Sequence, residues 1–172
     1  MTRRAALRVA ALAAAGAAAA PALARGEDAD PGVLYALIRR EQAAAFAYRA
    51  LEAGGAGEPA RRFAEHEHEH ARALATELEG FALPGPRAPR DAADLDRAAA
   101  RVAAARGGPT AAALRAAIAL EEDLLSTYLG ALGRLAVPNV ISTAATVLGS
   151  HAQHLALLRR RAGADPLAAT PR

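Results

Sequence analysis

The sequence predicts an all-α protein, an antiparallel four-helix bundle with one long crossover between its second and third helices. Three observations carry this expectation. Alanine and leucine dominate a chain of 172 residues whose aromatics amount to only 3%, and no segment shows the sustained period-two alternation that a strand needs. Four stretches carry inward positions at alternating spacings of three and four, the mark of a helix with one buried face. Their connections run short, long, short, which makes the first and last pairs antiparallel neighbours and leaves the middle connection to travel the length of the bundle. The length suits one domain with a real core and is too short for two comfortable ones.

Each helix carries its own punctuation. Pro31, at a first-turn position behind Asp30, starts the first, which runs to Gly54-Gly55. Pro59 starts the second, which ends near Gly80. A Pro-rich stretch from Leu83 to Arg90 and a small amphipathic segment from Asp91 to Ala105 form the crossover. Thr110 caps the third helix, which continues to about Ala136. Pro138-Asn139 opens the fourth, closed by Gly163, with Arg159, Arg160 and Arg161 in the last turn, where cations suit the helix dipole.

Before the first helix, the N-terminus reads as an address. Arg3, Arg4 and Arg8 precede an apolar run from Val9 to Ala20, and Pro21 and Ala22-Leu23-Ala24 follow. A charged start, a short apolar centre and a small-residue site are the parts of a signal peptide. The run of roughly 12 residues falls short of the ~20 that span a bilayer, which disfavours a membrane anchor. The Arg pair, with Leu7 three positions beyond Arg4, resembles a twin-arginine signal, which addresses folded cargo for export. The expectation is therefore a signal peptide over residues 1–24, cleaved after Ala24, and a bundle domain over 25–172 of an exported protein in the periplasm, envelope or extracellular space, with no membrane span after cleavage.

Charge excludes one class of function. The formal charge of +3 and a pI near 10.1 suggest nucleic-acid binding, but all 21 basic residues are Arg, and removing Arg3, Arg4 and Arg8 leaves 18 against 18 acids. No basic stripe or aromatic stacking platform survives. There are no cysteines, so disulfides and thiolate metal sites are also excluded.

The inward stripes carry ionisable groups where a core should be apolar. They read Leu34, Leu37, Glu41, Ala45 and Tyr48; Phe63, Glu67, His70, Leu74 and Leu78; Leu114, Ile118, Glu121, Leu125, Tyr128 and Leu132; and Val140, Ala144, Val147, His151, His154 and Leu158. An unpaired buried carboxylate costs several kcal/mol even after relaxation, so it persists only with a compensating partner. The chain has no Lys, and no Arg falls on these stripes beside the acids. A metal cation is the natural counter-charge, and carboxylate with imidazole suits Fe, Mn or Zn. The bland alternative is a metal-free bundle whose polar groups pair among themselves.

The two halves repeat: Glu41 precedes Tyr48 by seven residues and Glu121 precedes Tyr128 by seven, while Glu67-x-x-His70 and His151-x-x-His154 share an i,i+3 spacing. One Glu on each of two helices and Glu-x-x-His on each of the others defines the di-metal carboxylate bundles. In their order and stripe positions, Glu41, Glu67, His70, Glu121 and His154 resemble the ferritin-like superfamily of bacterial exported proteins, over nearly the whole mature chain. That resemblance implies two metal ions, iron first and manganese or zinc as alternatives, with Glu41 and Glu121 as terminal ligands, Glu67 as a bridge, and His70 and His154 as nitrogen ligands. It implies an oxidase- or peroxidase-type oxidoreductase taking a small oxidant and Fe(II) or a small reductant, against a non-catalytic metal-binding or structural stress-related bundle of the cell envelope. A homodimer is left open. One position departs: His151 stands where the family has the second bridging Glu. As a substitute ligand it leaves three carboxylates against two divalent ions and one bridge short, so a single metal or a shift toward zinc also fits.

Two further readings concern flanking residues. Tyr48 and Tyr128 should plug the core on either side of the site, their hydroxyls bonded to buried acceptors. In the tract Glu65 to His70, which reads EHEHEH, Glu65, His66, His68 and Glu69 fall off the stripe and should form a solvated face.

Overall fold

The computed structural model describes residues 29–108 and 110–168; the signal-peptide expectation for residues 1–24 lies outside them. Among the described residues the protein is all-helical: α1 (Asp30–Leu51), α2 (Glu58–Glu79), α3 (Arg97–Ala104), α4 (Thr110–Leu132) and α5 (Pro138–Arg161). None of these helices is long and apolar enough to cross a membrane. Packing is most extensive between α1 and α2 and between α4 and α5, with α2 against α5 and α1 against α4 completing a helical bundle.

Pro31, Pro59 and Pro138 all stand in first turns, where a missing N–H costs nothing. Between α1 and α2, a π-helical turn over Glu52–Ala56 replaces the expected clean stop at Gly54-Gly55. Gly54 is required there, since a Cβ would fall 2.6 Å from Gly107 N and 2.7 Å from Arg106 Cβ. Gly55, at φ +98, lies in the left-handed region that favours glycine. The crossover holds a 3₁₀ turn (Ala92–Asp94) and then α3, whose start Asp96 caps by accepting from the Ala98 and Ala99 N–H groups. Gln42 Nε2 ties the Pro-rich stretch to α1 by donating to the Pro86 carbonyl at 3.3 Å.

One expectation is corrected. Leu114, Ile118, Leu125 and Leu132 are only partly buried; α4 instead buries Ala117, Leu120, Leu124 and Ala131 with Glu121 and Tyr128. α3 packs on both α1 and α4, and its Ala99, Val102 and Ala103 share a core cluster with Ala117, Leu120 and Leu124. The same contact explains why Ala43, Ala44 and Ala47, off the predicted stripe of α1, are buried. Asp30 serves a part of the fold other than its own helix. It lies inside α1 and makes no cap hydrogen bond for it. Its fully buried carboxylate accepts instead from Ala136 N–H at 2.9 Å and Val137 N–H at 2.8 Å, in the turn between α4 and α5. Asp30→Ala is expected to cost about 2–3 kcal/mol, because it orphans two backbone donors that a charged group satisfied. Thermal melting should show a drop of roughly 5–10 °C, and Asp30→Asn, which keeps one acceptor oxygen, should lose less.

The core divides into two apolar clusters. One gathers Tyr48, Leu51, Val102, Leu120, Leu124 and Leu158 near the C-terminal end of α1. The other gathers Leu34, Leu37, Leu74, Leu78, Tyr128, Leu135 and Val140 near its N-terminal end. The ionisable residues lie between them.

Candidate metal centre

Four helices deliver one layer of side chains: Glu41 from α1, Glu67 and His70 from α2, Glu121 from α4, His151 and His154 from α5. All are buried except His70, whose side chain is 13% exposed. All six sequence candidates therefore meet. His70 Nδ1 is 2.9 Å from Glu67 Oε2 and 3.3 Å from Glu41 Oε2. Across the layer, His154 Nδ1 is 3.2 Å from Glu67 Oε1 and 3.5 Å from Glu121 Oε1. His151 stands between, with Nδ1 2.9 Å from Glu121 Oε2 and Nε2 3.2 Å from Glu41 Oε1. Two four-residue groups result, Glu41, Glu67, His70 and His151, and Glu67, Glu121, His151 and His154; in each, the candidate ligand atoms all lie within 4.8 Å of one another.

The tyrosines are crossed. Tyr48 of α1 donates its hydroxyl to Glu121 Oε1 of α4 at 2.6 Å, and Tyr128 of α4 donates to Glu41 Oε1 of α1 at 2.7 Å. Burial, reinforced by the nearby carboxylates, raises both phenols well above their ordinary value, so each remains a donor. Among the described residues no Arg pairs with Glu41, Glu67 or Glu121; Arg40, next to Glu41, faces outward to Asp96 and Asp123.

Without metal the layer neutralises itself. Burial would lower the pKa of His151, but the charge of Glu41 and hydrogen bonds with Glu121 and Glu41 outweigh it and push it up to about 11. His70 and His154 rise to about 9 against the same burial, through hydrogen bonds with Glu41 and Glu67 and with Glu121 and Glu67. Burial likewise works to raise Glu41 and Glu121, yet His151 and its neighbouring rings hold both well below the carboxylate range. Glu67 alone is raised, by burial and by the charge of Glu121. Three rings thus offset three carboxylates.

The pairing is loosest at one point. Glu67 Oε1 and His154 Nδ1 are buried and 3.2 Å apart, an ion-pair contact bent away from good hydrogen-bond geometry. Once a metal displaces the ring proton, two lone-pair atoms at that distance would fit a cation about 2.1 Å from each, at an angle of roughly 100°.

His66 is exposed, as the reading of the EHEHEH tract expects, but it also makes a contact the sequence does not announce. It sits on the exposed flank of α2, yet its Nδ1 is 2.9 Å from His154 Nε2 and the two rings stack at 5.2 Å. His154 therefore faces the layer with Nδ1 and the protein's flank with Nε2. The available signal was the i,i+4 relation of His66 to His70. Glu65, His68 and Glu69 are exposed, as expected, and Glu65 pairs with Arg61 at 2.9 Å.

A family model described as a ferritin-like domain matches residues 34–164. No curated protein and no solved structure matches the chain.

Proposed function

The chain belongs to the ferritin-like domain family, and on that premise we propose that it is an exported protein whose bundle holds two metal ions, iron first, and oxidises Fe(II) or a small reductant with O₂ or peroxide. The observation that carries the reading is the pair of overlapping four-residue groups of buried Glu and His, in each of which the candidate ligand atoms lie within 4.8 Å of one another. In this reading Glu41 and Glu121 are terminal ligands, Glu67 a bridge, His70 and His154 nitrogen ligands, and His151 replaces the fourth carboxylate. A redox-active ion pair would supply the electrons for reducing the oxidant. Tyr48 and Tyr128 each occupy one oxygen of Glu121 and Glu41, which orients the carboxylates. The apolar clusters on either side exclude water from the layer.

The same reading makes the framework an antiparallel four-helix bundle with a crossover from α2 to α4. The crossed tyrosines support it, since advancing along α1 from Glu41 to Tyr48 means retreating along α4 from Tyr128 to Glu121. Thr143 of α5 donates to Glu77 of α2 at 2.7 Å, while His154 meets Glu67, which gives that pair opposite directions too.

Elemental analysis of protein from its native host, followed by O₂ consumption with Fe(II), tests the proposal. Two irons or manganese ions per chain with Fe(II)-dependent O₂ uptake are expected. Metal-free protein with no uptake after loading would favour the second reading, a non-catalytic envelope bundle, to which the self-neutralised layer of Glu and His lends support. Export is tested separately: the mature N-terminus is expected at Arg25, and Met1 retained on envelope protein would refute cleavage.

A further inference from the structure

His151 has no counterpart in the pattern of four carboxylates, and its geometry gives it a use. Its ring is fully buried, so neither nitrogen has water to turn to. Each nitrogen instead faces a different terminal carboxylate, Nδ1 toward Glu121 at 2.9 Å and Nε2 toward Glu41 at 3.2 Å. Glu67 divides itself in the same way, Oε2 toward His70 at 2.9 Å and Oε1 toward His154 at 3.2 Å. Glu67 and His151 are the two residues common to both four-residue groups.

We infer that His151 bridges two metal ions, one on each ring nitrogen, in parallel with Glu67, which bridges them through its two oxygens. This rests on the di-metal reading above. One ion then takes Glu41, His70, Glu67 Oε2 and His151 Nε2; the other takes Glu121, His154, Glu67 Oε1 and His151 Nδ1. Each ion has two oxygens and two nitrogens, a donor set that suits zinc, iron or manganese. Each ring nitrogen gives its lone pair to one cation, and the ring protons leave to solvent, because the ligand form of a group is its deprotonated one. Bound on both sides, the ring is an imidazolate. Three carboxylates and one imidazolate carry four negative charges, which match two divalent cations. The shortfall of one bridge and one charge that the sequence implied disappears. The competing arrangement has His151 ligating one ion and donating its other N–H to a carboxylate, as single-site histidines do.

The test loads the purified chain with zinc, measures stoichiometry by elemental analysis and locates the ions by anomalous diffraction. Two zinc ions about 6 Å apart on opposite sides of the ring are expected, since each bond to the ring is about 2 Å long. His151→Glu is expected to keep two ions and shorten their separation to roughly 3.5–4 Å, the spacing of carboxylate-bridged pairs. Two ions in the wild type at roughly 3.5–4 Å, with His151 on one of them, would overturn the bridge and leave the di-metal reading standing. One zinc or none would overturn both.

Discussion

Glu67→Ala is expected to abolish metal binding and with it the whole difference in melting temperature between metal-loaded and chelated protein. Glu67 is the one carboxylate in contact with both halves of the layer, 2.9 Å from His70 and 3.2 Å from His154. Its loss removes a ligand from both groups at once. A metal present at a thousand times its dissociation constant stabilises the native state by about 4 kcal/mol, roughly 10 °C for a domain of this size. In the wild type, chelation should therefore lower the melting temperature by about that much. In Glu67→Ala, chelator and metal should give coincident melts, and Glu67→Gln, which keeps the volume, separates lost ligation from a cavity. A wild-type melt that ignores chelation would leave the layer without a structural dependence on metal.

Raising the pH is expected to destabilise the metal-free chain while strengthening metal loading. His70 and His154 titrate near 9 in the folded protein and His151 near 11, above their ordinary value of 6.5. A folded pKa above the unfolded one contributes stability that is whole below 6.5 and disappears as pH rises through the folded value. Glu121, held down to about 2 from 4.5, does the reverse: its contribution is present above 4.5 and is lost as pH falls toward 2. The metal-free protein should thus be most stable near pH 5–6.5 and melt progressively earlier between pH 7 and 11. Metal competes with those ring protons, so loading improves over the same range. The gap between loaded and metal-free melting temperatures should widen from pH 6 to pH 9. A metal-free melting temperature that climbs over that interval would contradict the protonated-ring account.

Much of this arrangement was legible because charge has few places to go inside a helix bundle. Glu41, Glu67, His70, Glu121, His151 and His154 stand out in sequence as ionisable residues on otherwise apolar stripes, and the structure brings all six side chains together. Pro31, Pro59 and Pro138 marked helix starts because proline fits a first turn and little else. What stayed hidden depended on distant partners. Asp30 meets its donors 106 and 107 residues away. His66 is exposed as expected, yet its contact with His154 exists only once α5 is in place. The rotation of α4 could not be read from a helix rich in leucine and alanine on several sides, where Ala117, Leu120 and Leu124 are buried in a cluster that α3 joins. Nor does spacing reveal that both nitrogens of His151 have carboxylates to face.

The crossed tyrosines bear on the mechanics of the bundle. Ala43, Ala44 and Ala47 give α1 a smooth surface, with no large side chains there to key it against sliding. The hydroxyl bonds from Tyr48 to Glu121 and from Tyr128 to Glu41 act as two pins driven through the same pair of helices from opposite sides. A shift of one helical turn, about 5.4 Å along the axis, shears both pins together and strands two carboxylates at once. Parting the two helices lengthens the same two bonds, so the tyrosines hold α1 to α4 against separation as well as against sliding.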